Sequence, residues 1–203
     1  SVENSFDSLK WSIEITQCAT NAGVRRVIST GSCWEYLDPK GAIDEQWPVD
    51  RVNAFKLAKS STREFLSLMC KEAEVEFVWL RLFYVYGRYQ NQHSLIPSLL
   101  EQLRKNIAPF ANNPDPTIDF VNASYVAEIL LECIQKQQIS GVFNLGSGIA
   151  TNVLEIVNTL RFNHGYPILK IETNPNALKF YSSNDKINKI TNIKASNILN
   201  ELK

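Results

Sequence analysis

The chain has 203 residues, 44 % of them hydrophobic and 21 % charged, with 21 basic side chains balancing 21 acidic ones. That length and composition suit a globular protein with a proper core, and the balanced charge gives no footprint for nucleic acid or an anionic membrane surface. No run approaches the roughly 18 apolar residues of a spanning helix, and with only His93 and His164 a histidine-based metal site or Ser-His-Asp triad is disfavoured.

Helical and strand signals alternate along the chain, which predicts an α/β fold with a mostly parallel sheet. A helix is expected from about Phe6 to Asn21, with Gly23 as its stop, then a short buried strand, Arg26-Val27-Ile28-Ser29. Residues 31–51, rich in Gly, Pro and Asp, read as a loop carrying Trp34 and Trp47. A helix follows from about Asn53 to Ala73, and Phe77 to Phe83 is a second strand. Ser94 is placed to cap a helix with Pro97 in its first turn, where a missing N–H costs little. Residues 112–116 form a turn-rich linker, Ile118 to Val121 a strand, and Ser124 the expected cap of the next helix. Val142 to Leu145 is a further strand, followed by a capping box in which Glu155 lies three residues after Asn152. The polar tail from Asn174 carries weak helical signals at 185–189 and 195–202. Cys18, Cys33, Cys70 and Cys133 lack CxxC spacing and read as reduced thiols, most of them buried, in a cytoplasmic protein.

Five segments carry chemistry when taken together. Val27 to Tyr36 ends in Ser32-Cys33-Trp34-Glu35-Tyr36, and Phe55-Lys56-Leu57-Ala58-Lys59 begins 23 residues after Ser32. On a helix, residues 55 and 59 stand one above the other. The other three are Arg81-Leu82-Phe83-Tyr84-Val85-Tyr86-Gly87, Asp119 to Ala127, and Gly141-Val142-Phe143-Asn144-Leu145-Gly146-Ser147-Gly148, with Asp185-Lys186-Ile187 as a weaker echo. In order and spacing they resemble the extended short-chain dehydrogenases, the nucleotide-sugar epimerases, dehydratases and reductases. The pentapeptide resembles that family's Tyr-x-x-x-Lys with phenylalanine in place of tyrosine.

The resemblance implies a partial doubly wound, Rossmann-like parallel sheet with a smaller C-terminal substrate-binding lobe. Residues 1–92 would be the second half of the dinucleotide domain and 93–203 mainly the lobe, with about 118–140 returning to the first domain. It implies NAD or NADP and a nucleoside-diphosphate sugar, and a homodimer when full length, with no nucleic-acid or membrane partner. By position, Ser32, Phe55 and Lys59 are the catalytic set. Ser29, Thr30, Lys59 and Phe83 fall to the cofactor, and Ser32, Cys33, Trp34, Tyr84 and Asn122 to the substrate, with no metal ligand. Tyr36 is expected to pack behind the site and Cys33 to be a small packing residue.

The departures matter as much. The family's Gly-x-x-Gly-x-x-Gly phosphate loop is not in this chain, which opens on Ser1-Val2-Glu3-Asn4, so the start of a larger protein is expected to be missing. Tyr84 replaces an asparagine, Ile118 an arginine, and Ser124-Tyr125 an aspartate pair. Cys33-Trp34 replaces the acidic pair of the dehydratase branch, which disfavours 4,6-dehydration and leaves an epimerase or 4-keto reductase. Phe55 has no proton to exchange, so the expectation is an enzyme impaired at its base. The alternative is a non-catalytic relative that binds nucleotide sugar or dinucleotide.

Overall fold

A computed structural model describes residues 1–136, 138–172 and 174–202. The first helix, α1 (Val2–Asn21), starts four residues earlier than periodicity suggested. Ser1 caps it, its hydroxyl accepting the Asn4 N–H at 3.3 Å, and Gly23 ends it at φ +77°, where a side chain would be strained. Strand β1 (Arg26–Ser32) follows, then a 3-10 turn (Cys33–Glu35), β2 (Gly41–Ile43) and α2 (Ala54–Glu72). The run beginning at Glu76 divides into β3 (Glu76–Leu82) and β4 (Tyr84–Tyr86). After α3 (Leu95–Arg104) come β5 (Thr117–Asn122), α4 (Ala123–Gln135), β6 (Gly141–Leu145), β7 (Ala150–Asn152) and α5 (Val153–Asn163). Strand β8 (Phe180–Ser182) and two short helices, α6 (Asp185–Asn188) and α7 (Ile198–Glu201), complete the order.

The central sheet runs β1-β3-β6, all parallel, with Thr30 opposite Leu80 and Leu80 opposite Phe143. The strands expected near 26–30, 77–83 and 142–145 therefore pair as predicted. Successive strand residues point to opposite faces. On one face Val78, Leu80, Phe143 and Leu145 bury against Val126, Ile129 and Cys133 of α4. Helix α2 packs on β1 and β3 and carries α1 alongside it. Helices on both faces of a parallel sheet make a doubly wound α/β layer. Helix α4 leads into β6, which forms one edge of this sheet.

The second half of the fold grows from the split between β3 and β4. Phe83 still donates its N–H to Leu145 O at 3.1 Å, but from Tyr84 the chain leaves β6 and pairs in parallel with β5. Strand β7 joins β5 antiparallel. The expected loop at 31–51 holds β2, which pairs in parallel with β8 some 140 residues later. A second core gathers Tyr36, Ile43, Phe83, Tyr86, Leu99, Phe120, Ile156, Leu160 and Phe180.

Caps correct the reading in one place. Asn122, not Ser124, caps α4: its side chain accepts the Ser124 N–H at 2.8 Å. Ser94 precedes α3 as expected but makes no side-chain cap bond. The Asn152–Glu155 capping box forms in full.

Candidate active site

Ser32 is the last residue of β1, at the carboxyl end of the parallel sheet, where ligands bind in open α/β folds. Its hydroxyl caps the 3-10 turn, accepting the Trp34 N–H at 3.2 Å. That bond uses one oxygen lone pair, and the hydroxyl also reaches the Cys33 thiol. Cys33 is 2 % exposed, and burial, with Asp119 adding to it, pushes its thiol up to about 12. It is a packing residue and stays protonated. Trp34 stands half-exposed with its ring edge-on to Tyr84 and Phe180, each centroid 6.1 Å away.

Phe55 and Lys59 lie one above the other on the first turns of α2, which Asn53 opens by accepting the Lys56 N–H at 3.0 Å. Both line a cleft of about 640 Å³ against the start of α1, with Asn4, Ser5, Ser8 and Thr62. Phe55 is 43 % exposed there. The Lys59 ammonium donates to Thr30 O at 3.3 Å, so it touches β1 two residues before Ser32. Two residues span at most about 7 Å, which puts Lys59 and Ser32 in one neighbourhood, and α2 also packs against the 33–35 turn. Lys56 is engaged elsewhere, pairing with Asp50 at 2.8 Å.

Neither Tyr36 nor Tyr84 carries a phenol that ionises readily. Tyr36 is fully buried; its hydroxyl donates to Asn144 Oδ1 at 2.6 Å and accepts from Arg81 at 3.0 Å, and burial pushes it up to about 12 despite the guanidinium. Tyr84 is likewise driven up, by burial first and then by Cys33. A general base has to ionise near the working pH, and both phenols are displaced from that range.

Of the other sequence-derived candidates, Phe83 and Asn122 fall elsewhere. Ser29 and Thr30 lie on β1 as expected, half-buried and exposed respectively. The Phe83 side chain belongs to the second core, 5.9 Å from the ring of Phe180. Asn122 is bound to Glu201 and lines a separate cleft of about 900 Å³ with Tyr86 and Arg88. That cleft shares no lining residue with the one at Phe55. Among the described residues no cluster of His, Cys, Asp or Glu could hold a metal ion, and no helix is long and apolar enough to cross a membrane.

Two buried groups went unread in the sequence. Glu35 and Arg81 form an ion pair at 2.9 Å, with side chains 0 % and 3 % exposed. The signal was there: Arg81 is the one cation in the apolar run from Phe77 to Phe83, and a charge in a buried strand needs a partner. Asp119 is the other. Its Oδ1 accepts the Ser147 N–H and hydroxyl, both at 2.6 Å. Its Oδ2 accepts the Gly148 N–H at 3.0 Å, the Ser182 N–H at 3.0 Å and the Ser182 hydroxyl at 2.7 Å. One carboxylate thus ties β5 to the loop after β6 and to β8.

Residues 7–146 match the NAD dependent epimerase/dehydratase family, and the chain belongs to it. It is 29 % identical over 129 residues to the dTDP-L-rhamnose 4-epimerase of Burkholderia thailandensis. It is 25 % identical over 128 residues to a Methanocaldococcus jannaschii protein that bears a provisional UDP-glucose 4-epimerase name. Each match takes in 61 % of this chain but only 35 % and 41 % of those two proteins. Among solved structures, the UDP-N-acetylglucosamine 4-epimerase of Bacillus cereus superposes with a TM-score of 0.85 at 15 % identity, covering 100 % of this chain and 73 % of that one. The UDP-glucuronic acid 4-epimerase of the same organism, solved with NAD, gives 0.81 at 17 % identity, with 94 % and 63 % coverage. At those identities the superpositions establish the fold.

Proposed function

We propose that the chain forms the catalytic-end and sugar-side portion of an NAD(P)-dependent nucleotide-sugar epimerase or 4-keto reductase whose usual proton acceptor is replaced by Phe55. The observation that carries this reading is Ser32: a hydroxyl at the carboxyl end of the central sheet, oriented by a backbone N–H, with the Lys59 ammonium held on the same strand. Such a hydroxyl suits the oxygen of a sugar carbon moving between alcohol and ketone.

The dinucleotide supplies the hydride acceptor when bound. The residues present fit only one end of it: the cleft at Phe55 and Lys59 offers a cation and an apolar wall, whereas the glycine-rich turn that receives a pyrophosphate on backbone N–H groups is not among these residues. In this chain Ser32 orients the sugar oxygen, Lys59 provides the positive charge, and Phe55 fills the base position without being able to hold a proton. Trp34, Tyr84 and Phe180 form an apolar aromatic cluster next to Ser32, in keeping with redox chemistry at the sugar ring rather than elimination by a carboxylate pair.

The test is turnover of nucleoside-diphosphate sugars by the full-length protein with NAD and NADP, following nicotinamide absorbance and product sugars. Ser32→Ala should abolish whatever turnover the parent shows. A non-catalytic binding role is the second reading, favoured by Phe55 alone. Saturable sugar-nucleotide binding with no turnover, unchanged by Ser32→Ala, would select it. Homodimerisation of the full-length protein and a cytoplasmic location complete the proposal.

A further inference from the structure

We infer that Glu35 is a positioning residue for Ser32, which it holds from behind through a carboxylate locked by Arg81 and Trp79. The inference rests on reading Ser32 as the sugar-facing hydroxyl. Glu35 Oε1 accepts the Ser32 backbone N–H at 2.8 Å, while Ser32 Oγ accepts the Trp34 N–H at 3.2 Å. These reciprocal bonds form a capping box around a single 3-10 turn. The carboxylate is itself bonded on both oxygens: Oε2 accepts Arg81 Nε–H at 2.9 Å, and the Trp79 indole N–H lies 3.2 and 3.3 Å from the two.

The surroundings are built to admit this carboxylate. A Cβ on Gly31 would fall 2.1 Å from Glu35 Oε1 and 2.3 Å from Trp79 Nε1, so residue 31 has to lack a side chain. Arg81 extends the frame, donating to the Tyr36 hydroxyl, which bonds Asn144 on β6. All three strands of the central sheet thereby converge on the turn that presents Ser32. A solvated serine at a strand end would sample several rotamers; this one is fixed at its N–H by Glu35 and at its oxygen by the turn.

A stabilising role and a positioning role separate in one experiment. Replacing a buried ion pair by apolar side chains of similar volume is often neutral for stability, whereas removing one member strands the other charge. In the full-length protein with isotope-labelled serine, the parent should show one Ser32 χ1 rotamer from its Hα–Hβ couplings and a slowly exchanging Ser32 amide. The Glu35→Met/Arg81→Met double variant should still fold cooperatively, with a lowered melting temperature because the Trp79 indole and the Ser32 N–H lose their acceptor. Its Ser32 amide should exchange at least about tenfold faster, the range expected for losing a hydrogen bond to a charged acceptor, and its couplings should average. A double variant that keeps a protected amide and a single rotamer overturns the inference. So does one that fails to fold, since the pair would then be scaffold alone. Neither readout depends on turnover, so a failure of Ser32→Ala to affect catalysis would defeat the functional reading without changing this result.

Discussion

Asp119 offers a prediction whose size can be worked out from its bonds. Its carboxylate is fully buried and accepts five hydrogen bonds, three from backbone N–H groups of Ser147, Gly148 and Ser182. In Asp119→Asn one oxygen becomes an NH2 facing donors. The less costly orientation puts that NH2 on the Oδ1 side, which faces one backbone N–H rather than two. The Ser147 N–H is then buried without a partner, at about 1–3 kcal/mol, and the remaining bonds lose their charge assistance. A total of roughly 2–4 kcal/mol follows. Asp119→Ala strands the three backbone N–H donors, while the Ser147 and Ser182 hydroxyls can turn to Ile149 O and Asn184 Oδ1; such losses do not add fully, and about 3–5 kcal/mol is expected. Gly146→Ala should mimic this, because its Cβ would lie 2.3 Å from both Asp119 Oδ2 and Ser182 Oγ. Urea unfolding followed by tryptophan fluorescence measures each, at constant m-value. Losses below about 1 kcal/mol for both Asp119 variants would refute the hub.

The remaining expectations follow from burial and bonding. Exposed Cys18 should react with iodoacetamide at pH 8 while buried Cys33 stays unmodified in the folded protein; equal labelling would contradict the packing assignment. Cys33 and Tyr36 are both raised to about 12 in the fold from ordinary values near 9 and 10. The neutral forms are therefore the folded ones, stability is complete below about pH 9, and it falls between about 9 and 12 as the unfolded chain ionises first. Cys33→Ala should shallow that slope in alkaline unfolding curves. Tyr36→Phe leaves Arg81 and Asn144 each short of a partner and should cost about 1–3 kcal/mol without changing the pH dependence of any turnover. A shift in that profile would return Tyr36 to candidacy as the base.

Much of the fold was legible because its signals are local. The apolar runs ending at Ser32 and Leu82, the Asn53 start of α2 and the Asn152–Glu155 box all depend on near neighbours. The missed elements do not: β2 and β8 have three residues each and exist only through one another, about 140 residues apart. The break between β3 and β4 comes from a change of pairing partner, which no periodicity records. Asn122 won the cap of α4 over Ser124 because the helix starts at Ala123, one residue before the hydroxyl. At the candidate site, the proximity of Lys59 to the strand that ends in Ser32 was legible from order and spacing. Glu35 was not, because its role comes from Arg81 lying on the neighbouring strand.

The most direct test is Phe55→Tyr in the full-length protein. Phe55 is 43 % exposed to the cleft, one helical turn from Lys59, so the added hydroxyl has room and a cation nearby. That cation should lower the phenol below its usual value of about 10. With a positioned acid/base restored, sugar-dependent hydride transfer should rise by roughly 10²-fold or more over the parent, and the gain should vanish in Phe55→Tyr/Lys59→Met. No gain across a panel of nucleoside-diphosphate sugars would contradict the assignment of residues 32, 55 and 59 as a catalytic set.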